Sequence, residues 1–359
     1  MTKRYRRSAA VLAALAVAAL SVLVATATGG TAKKHATADV AVLLPDTKSS
    51  VRWETQDRPR LTAAFKAAGI SSSVVNAEGD PQRQISQADQ ALTNGAKVIL
   101  LVNLDSASGA AIENKAVASG AKVIDYDRLT LKGKASYYVS FNNVRVGQLQ
   151  GQGLVKCLKA SGKYSKHPVI AELNGSPTDN NATLFKQGYD SVLKPLYKKG
   201  VFKKGPDQSV PAWDNQKALT IFEQMLSRTS NKIDGVDAAN DGLGNAVISA
   251  LKARKLKPIP VTGQDATAQG VQNILSGWQC MTVYKSIKKE ADAGAKLAIA
   301  LIKGQTAATN GKTSDGVRQV PSVLLTPVSI TKKNYKLLFT DGFLKRSDVC
   351  IGTYAKYCK

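Results

Sequence analysis

Val98-Ile99-Leu100-Leu101-Val102 is apolar at every position, and no other segment restricts the fold as strongly. A strand with one wet face alternates between apolar and polar residues. A strand that never alternates must be covered on both faces, as inside a parallel sheet. Parallel neighbours need a crossover of a dozen or more residues, most often a helix. That pattern recurs from residue 39 onward. Short runs at 40–44, 73–76, 97–102, 122–126, 169–173, 235–239, 260–263 and 281–284 read as strands.

The segments between them read as helices. Asp80-Pro81 offers an N-cap followed by proline at the first helical position. Ile85, Ala88 and Leu92 then share one face, and Gly95 suits the position just past the helix end. Residues 143–158 repeat the logic with Val146, Leu149 and Leu154, and residues 180–193 with Leu184, Tyr189 and Leu193.

Strand then helix, repeated, predicts a doubly wound α/β fold. A chain of 359 residues is long enough for two cores. Eight strands over that length predict two Rossmann-like lobes. Crossings are expected near 126–128, 284–285 and 321–326. The first lobe is then 39–127 plus 285–322, and the second is 128–284 plus 323–359. The polar stretch 304–316 reads as an exposed loop.

Residues 1–38 read as a signal peptide and leader. Lys3, Arg4, Arg6 and Arg7 precede an apolar run from residue 9 to 25, and small residues follow. That is the order of a secretory signal. Ala25-Thr26-Ala27 and Ala36-Thr37-Ala38 both suit cleavage. An uncleaved leader would instead be an anchor. No cysteine lies near either site, which excludes lipid attachment there.

The formal charge is +24, and without residues 1–38 the chain keeps 44 basic against 26 acidic residues. Clustered with aromatics, such an excess would point to nucleic acid. Here the bases are dispersed (Lys194, Lys198, Lys199, Lys203, Lys204, then Lys252, Arg254, Lys255, Lys257), so no nucleic-acid partner is expected. A solvated basic face suits an anionic cell envelope. Cys157, Cys280, Cys350 and Cys358 form an even set, which in an exported chain reads as disulfides with three possible connectivities. Cys350 and Cys358 can close a tail loop, or either can staple the tail to the helix carrying Cys157. Their spacing does not fit a zinc site, and no metal or cofactor is expected.

Catalytic devices are scarce. The only histidines are His35 and His167, and no phosphate-cradling loop occurs. What stands out is polar chemistry just past the strand ends, where open α/β sheets bind ligands. Arg52-Trp53, Asp127-Arg128, Asp179-Asn180-Asn181, Asn240-Asp241, Gln264-Asp265 and Lys285 fall there, and Trp213 follows another probable strand. Carboxylates accept hydrogen bonds, Arg and Lys donate, and Asn does both, as a sugar hydroxyl requires. Trp53 and Trp213 can stack on the C–H face of a pyranose. Taken singly, Asp80, Asp179 and Asp241 can be no more than N-caps.

At these residues the chain resembles a known family. Tyr126-Asp127-Arg128-Leu129, Gly175-Ser176-Pro177-Thr178-Asp179-Asn180-Asn181-Ala182, Gly263-Gln264-Asp265-Ala266, Met281-Thr282-Val283-Tyr284-Lys285 and Val320-Pro321-Ser322-Val323-Leu324-Leu325-Thr326-Pro327 are similar to the type I periplasmic sugar-binding proteins of ABC transporters, in their D-xylose-binding branch. Ser50-Val51-Arg52-Trp53 and Ile330-Thr331-Lys332-Lys333-Asn334-Tyr335 lean toward a second branch of multi-sugar binders that feed uptake and sensing. Asn142 stands where the resemblance leads one to expect Asp.

The resemblance implies two lobes joined by a three-crossing hinge, with a monosaccharide held between them. It implies ligand contacts from Arg52, Trp53, Asp127, Arg128, Asp179, Asn181, Trp213, Asn240, Asp265 and Lys285. It also implies a monomer that closes on sugar in the periplasm or at the outer face of the cell and delivers it to an ABC permease. Contact with a membrane would come only through the leader or the permease. Two other classes remain to be weighed. A sugar-responsive repressor would need a helix-turn-helix where the leader stands. An exported carbohydrate enzyme would use paired carboxylates such as Asp127 and Asp179.

Overall fold

The computed structural model describes residues 38–358, so the expected leader, apart from Ala38, lies outside the described residues. Among those residues no helix is long and apolar enough to cross a membrane. The first half runs β1 (Val40–Leu44), a π-helical turn (Trp53–Asp57), α1 (Arg58–Ala67), β2 (Ser72–Asn76), α2 (Pro81–Thr93), β3 (Val98–Leu101), α3 (Ser106–Ala118), β4 (Lys122–Tyr126) and β5 (Tyr137–Phe141). There follow α4 (Asn143–Ala160), β6 (Val169–Asn174), α5 (Asn180–Lys198), β7 (Lys203–Ser209), α6 (Asn215–Arg228), β8 (Gly235–Ala238), α7 (Asp241–Ala253), α8 (Ala268–Ser276) and β9 (Thr282–Tyr284). The chain then makes α9 (Ile287–Ile302), β10 (Gly311–Ser314), β11 (Gln319–Leu325) and β12 (Val328–Ile330), and ends in short helical turns.

The doubly wound expectation holds. The first sheet has the order β10-β11-β5-β4-β3-β1-β2, parallel except at β10. Alternate residues of a strand point to opposite faces. Val40, Val42, Leu44, Val98 and Leu100 therefore pack on α1 and α9, through Leu61, Phe65, Ala291 and Ala295. Ala41, Leu43, Ile99 and Leu101 pack on α2 and α3, through Ala88, Ile112 and Ala116. Both faces of β1 and β3 are covered, as their unbroken apolar runs require. The second sheet is β7-β6-β8, extended by one bridge from Val236 to Val261, and β9 pairs antiparallel with β12. Its core joins Val146 and Leu154 of α4, Phe185 and Leu193 of α5, and Phe222 of α6. α4 and α5 pack so closely that a Cβ on Gly147 would lie 1.9 Å from the Phe185 carbonyl oxygen.

Several boundaries differ from expectation. The first crossing is not at 126–128. β5 pairs with β4 in the first sheet, and the chain leaves that sheet at Asn142. The connection 127–136 carries no helix, so the usual marker of a parallel neighbour is missing. The last crossing follows Leu325, because β11 stays in the first sheet to that residue. Its pairing with β5 begins at Ser322, one residue past Pro321, which has no N–H to donate. The stretch 304–316 is not wholly loop, since it contains β10, a polar edge strand. Residues 260–263 make a single bridge instead of a full strand.

The disulfides resolve as Cys157–Cys280 and Cys350–Cys358. The first ties α4 to the segment entering β9. The second closes the tail on itself.

Candidate functional site

The first sheet reads β2-β1-β3-β4-β5 from its free edge, so strand order reverses between β1 and β3. Such a switch point opens a crevice at the carboxyl ends of the strands. Arg52 and Trp53 follow β1 there, and Asp127 and Arg128 follow β4. From the second sheet, Asp179 and Asn181 follow β6, Trp213 follows β7 and Asn240 follows β8. Asp265 follows the Val261 bridge, and Lys285 follows β9 at the second crossing. The structure brings all ten expected residues around one cavity, with Ser49, Ser50, Phe185 and Gln264 added.

Local structure fixes these side chains. Asp179 caps α5 by accepting from the Asn181 N–H at 2.9 Å, and Asn240 caps α7 by accepting from the Leu243 N–H at 2.8 Å. Each is thus both a cap and part of the cavity wall. Asp127 (φ +62°), Trp213 (φ +55°) and Asp265 (φ +93°) occupy backbone conformations uncommon for residues with a side chain. Strain of about 1–3 kcal/mol per residue persists only where the surroundings over-determine it, and it collects at functional sites.

Arg52 anchors the electrostatics. It grips Asp57 with two bonds, Nε to Oδ2 at 2.9 Å and Nη2 to Oδ1 at 2.7 Å. It also donates to Asp127 Oδ2 at 2.7 Å and to Glu290 Oε2 at 2.6 Å. Burial alone would push the Asp127 carboxyl up, but Lys285, Arg52 and Arg128 outweigh it and hold Asp127 well below the usual carboxylate range. Burial pushes Glu290 up; Arg52 pulls it back, while Asp127 and Asp57 push it higher, and it ends well above the ordinary value. Lys285 Nζ stands 3.6 Å from Asp127 and 3.5 Å from Asp265.

The two lobes bond directly to each other at this cavity. Arg128 Nε is 3.2 Å from Asp179 Oδ2. Asn181 Nδ2 donates to the Asp127 carbonyl at 3.0 Å and to its Oδ1 at 3.1 Å. Ser50 Oγ donates to Asp265 Oδ2 at 3.3 Å, and Asn240 Nδ2 to the Ser49 carbonyl at 3.4 Å. Arg128 is therefore part of an interlobe ion pair as well as the cavity wall.

The tryptophans are held as firmly. Trp53 Nε1 donates to Ser49 Oγ, and the Arg52 guanidinium lies 4.4 Å from the ring centroid. Trp213 Nε1 donates to Asp179 Oδ2 at 3.0 Å, and its ring meets Phe185 edge-on at 6.3 Å. Gln264 Oε1 is buried in the wall without a hydrogen-bond partner, while Asp265 Oδ1 faces Lys285 Nζ at 3.5 Å. Buried polar atoms are nearly always satisfied, so Gln264 Oε1 can accept a further hydrogen bond here.

Sequence reasoning missed some of this machinery. Phe185 stands four residues after Asn181, hence on the same face of α5, which was the available signal. Asp57 and Glu290 hold Arg52, the Asn103 carbonyl accepts from Arg128 Nη1 at 3.2 Å, and Asn143 donates to Asn181 Oδ1 at 2.8 Å. These four lie in helices or behind the strand ends, and nothing in their local pattern marks them. Among the described residues no group of His, Cys, Asp or Glu is arranged to hold a metal ion.

Comparison with known proteins gives three kinds of match. The periplasmic binding protein domain matches residues 40–306. The D-xylose-binding periplasmic protein of Escherichia coli K12 is 35% identical over 300 residues, covering 83% of this chain and 88% of its own. The multiple sugar-binding periplasmic receptor ChvE of Rhizobium radiobacter is 35% identical over 328 residues, covering 86% and 91%. An ABC transporter solute-binding protein from Clostridium phytofermentans, solved with bound β-D-glucose, superposes with a TM-score of 0.80 at 31% identity, over 86% of this chain and 99% of that one.

Proposed function

The chain belongs to the periplasmic binding protein family, among its sugar-binding members, and on that premise we propose that it captures one monosaccharide, D-xylose first among candidates, and hands it to an ABC permease. One observation carries the reading: ten polar and aromatic residues from both lobes meet at a single cavity whose charges balance. Its wall holds three cations (Arg52, Arg128, Lys285) and three carboxylates (Asp127, Asp179, Asp265). A site without surplus charge favours a neutral ligand. Its ionised donors and acceptors give the short, strong hydrogen bonds that hydroxyls can complete.

Hinge closure is the proposed mechanism. The interlobe bonds close the walls to a cavity of about 30 Å³. That is the room of roughly one water molecule, far too little for a pyranose. Sugar therefore enters with the lobes apart or the side chains swung aside, and replaces part of the interlobe bonding as they close. Contacts that exist fully only in the closed form shift the population toward it. Export, with residues 1–38 as leader, and action as a monomer complete the proposal. The periplasmic naming of both relatives supports export.

The family's sugar-binding role argues against an enzyme, and Asp127 does not suit the acid of a catalytic carboxylate pair. A general acid needs a carboxyl held protonated near neutrality. Asp127 is instead held ionised by Lys285, Arg52 and Arg128 against the push of burial, which makes it an acceptor.

A thermal-shift panel of xylose, glucose, galactose, arabinose and ribose tests the proposal. A sugar present at 100 times its Kd should add roughly 2.7 kcal/mol of stability. Five flat responses sink it. A response to xylose alone selects the xylose reading. Comparable responses to several sugars select a multi-sugar binder serving a sensor, which the match to the multiple sugar-binding receptor favours.

Gly175→Ala gives a second test. A Cβ there would lie 2.0 Å from the Trp213 ring, and a buried indole cannot yield cheaply. Overpacking of this kind costs about 1–3 kcal/mol. Sugar affinity should fall by roughly tenfold in calorimetric titration, through loss of the Trp213–Asp179 bond. An unchanged Kd removes Trp213 from the binding set.

A further inference from the structure

A second concavity lies away from the sugar cavity, at the C-terminal tail. Lys332, Lys333, Lys336 and Lys356 surround a depression of about 560 Å³ with Tyr335 and Tyr357, and among the described residues no carboxylate lines it. Many lysines of this chain have acidic partners, among them Lys97, Lys115, Lys186, Lys204 and Lys288. Among the described residues these four have no carboxylate within ion-pair distance. The Tyr357 ring centroid is 5.2 Å from Lys356 Nζ and 5.9 Å from Lys332 Nζ.

The lysines stand on a built platform. The disulfide Cys350–Cys358 closes the tail, and Arg346 Nη2 holds the Cys358 carbonyl at 2.9 Å. Cys358 and Tyr335 belong to one buried cluster with Leu338, Phe343 and Val349. Gln272 of α8 donates to the Val349 carbonyl at 3.1 Å, tying this module to the second lobe. Four exposed like charges are thus gathered around one hollow on a disulfide-closed platform. Gathered charge of one sign concentrates counter-ions, and the excess of 44 basic over 26 acidic residues outside 1–38 adds long-range attraction.

We propose that this depression binds a phosphate-rich polymer strand. Lysine binds phosphate as a point charge, and a tyrosine hydroxyl can add a hydrogen bond. The volume far exceeds one phosphate, so several consecutive groups are needed to meet four ammonium ions.

The test is calorimetric titration of short-chain inorganic polyphosphate into the full-length chain at two salt concentrations. Binding should weaken as salt rises. Lys332→Gln with Lys356→Gln should cost about thirtyfold in affinity, from the usual contribution of a lysine near an anionic surface. Lys252→Gln with Lys257→Gln removes the same charge elsewhere and should change little. An unaltered sugar response in both double variants shows that they fold. Absent binding, or equal losses in the two variants, overturns the proposal. Polyglutamate binding as tightly as polyphosphate also overturns it, and tighter binding to phosphatidylglycerol vesicles assigns the surface to a membrane instead.

Discussion

Arg128→Ala is expected to weaken sugar binding by about thirtyfold to several-thousandfold while the ligand-free chain keeps its fold. Truncating one member of a buried, hydrogen-bonded charge pair costs about 2–5 kcal/mol in comparable interfaces. Arg128 joins Asp179 across the lobes at 3.2 Å, and its Nη1 and Nη2 donate to the Asn103 carbonyl and to Ser49 Oγ, each at 3.2 Å. One side chain thus links the first lobe's β1 and β3 ends to the second lobe. The fold should survive because Asp179 keeps two donors, Trp213 Nε1 and the Asn181 N–H. Calorimetric titration with the best sugar of the panel measures the loss, and circular dichroism checks the fold. A Kd within threefold of the parent's would remove Arg128 from the site.

Asp179→Asn sharpens the result. Asparagine caps a helix as well as aspartate does, so α5 should be undisturbed. If Arg128 acts through the interlobe pair, the two substitutions together should cost clearly less than the sum of each alone. Additive losses would mean that Arg128 and Asp179 reach the sugar independently.

The ease of reading this chain tracks how much of each element is buried. β1 and β3 are legible because both faces are covered, which forces an unbroken apolar run. β7 (Lys203–Ser209) and β10 (Gly311–Ser314) are edge strands with polar, partly exposed residues; β7 is legible only as an unbounded strand before Trp213, and nothing in the β10 sequence separates it from loop. β5 is apolar and fully buried, yet it escaped because no helix separates it from β4. The site divides in the same way. Residues just past strand ends can be placed from topology alone, and all ten reached one cavity. Their supports cannot be placed so. Glu290 reaches Arg52 from a helix 238 residues away in sequence, and only the folded chain reveals that contact.

Removing Cys157–Cys280 is expected to be the most damaging change to stability. In the chain-entropy account a disulfide acts by restricting the unfolded state, and more so for longer loops. Cys157 and Cys280 are 123 residues apart, against 8 for Cys350 and Cys358. The same relation gives about 5 kcal/mol for the long loop and about 2.5 kcal/mol for the short one as upper bounds. The location adds to the difference. Cys157 lies on α4, which packs against α5 across the core of the second lobe, and Cys280 enters β9 just before Lys285. The second sheet has only three strands and one bridge, so little else pins that route to the hinge. Cys157→Ala with Cys280→Ala should therefore lower the denaturant midpoint well below that of Cys350→Ala with Cys358→Ala. It should also weaken sugar binding, because Lys285 loses its fixed approach to Asp127 and Asp265. The tail variant should bind sugar normally and lose affinity only for polyphosphate. If the two double variants lose equal stability, the loop-length argument fails for this chain. If the α4 variant binds sugar as the parent does, the bridge stabilises the lobe without positioning the site.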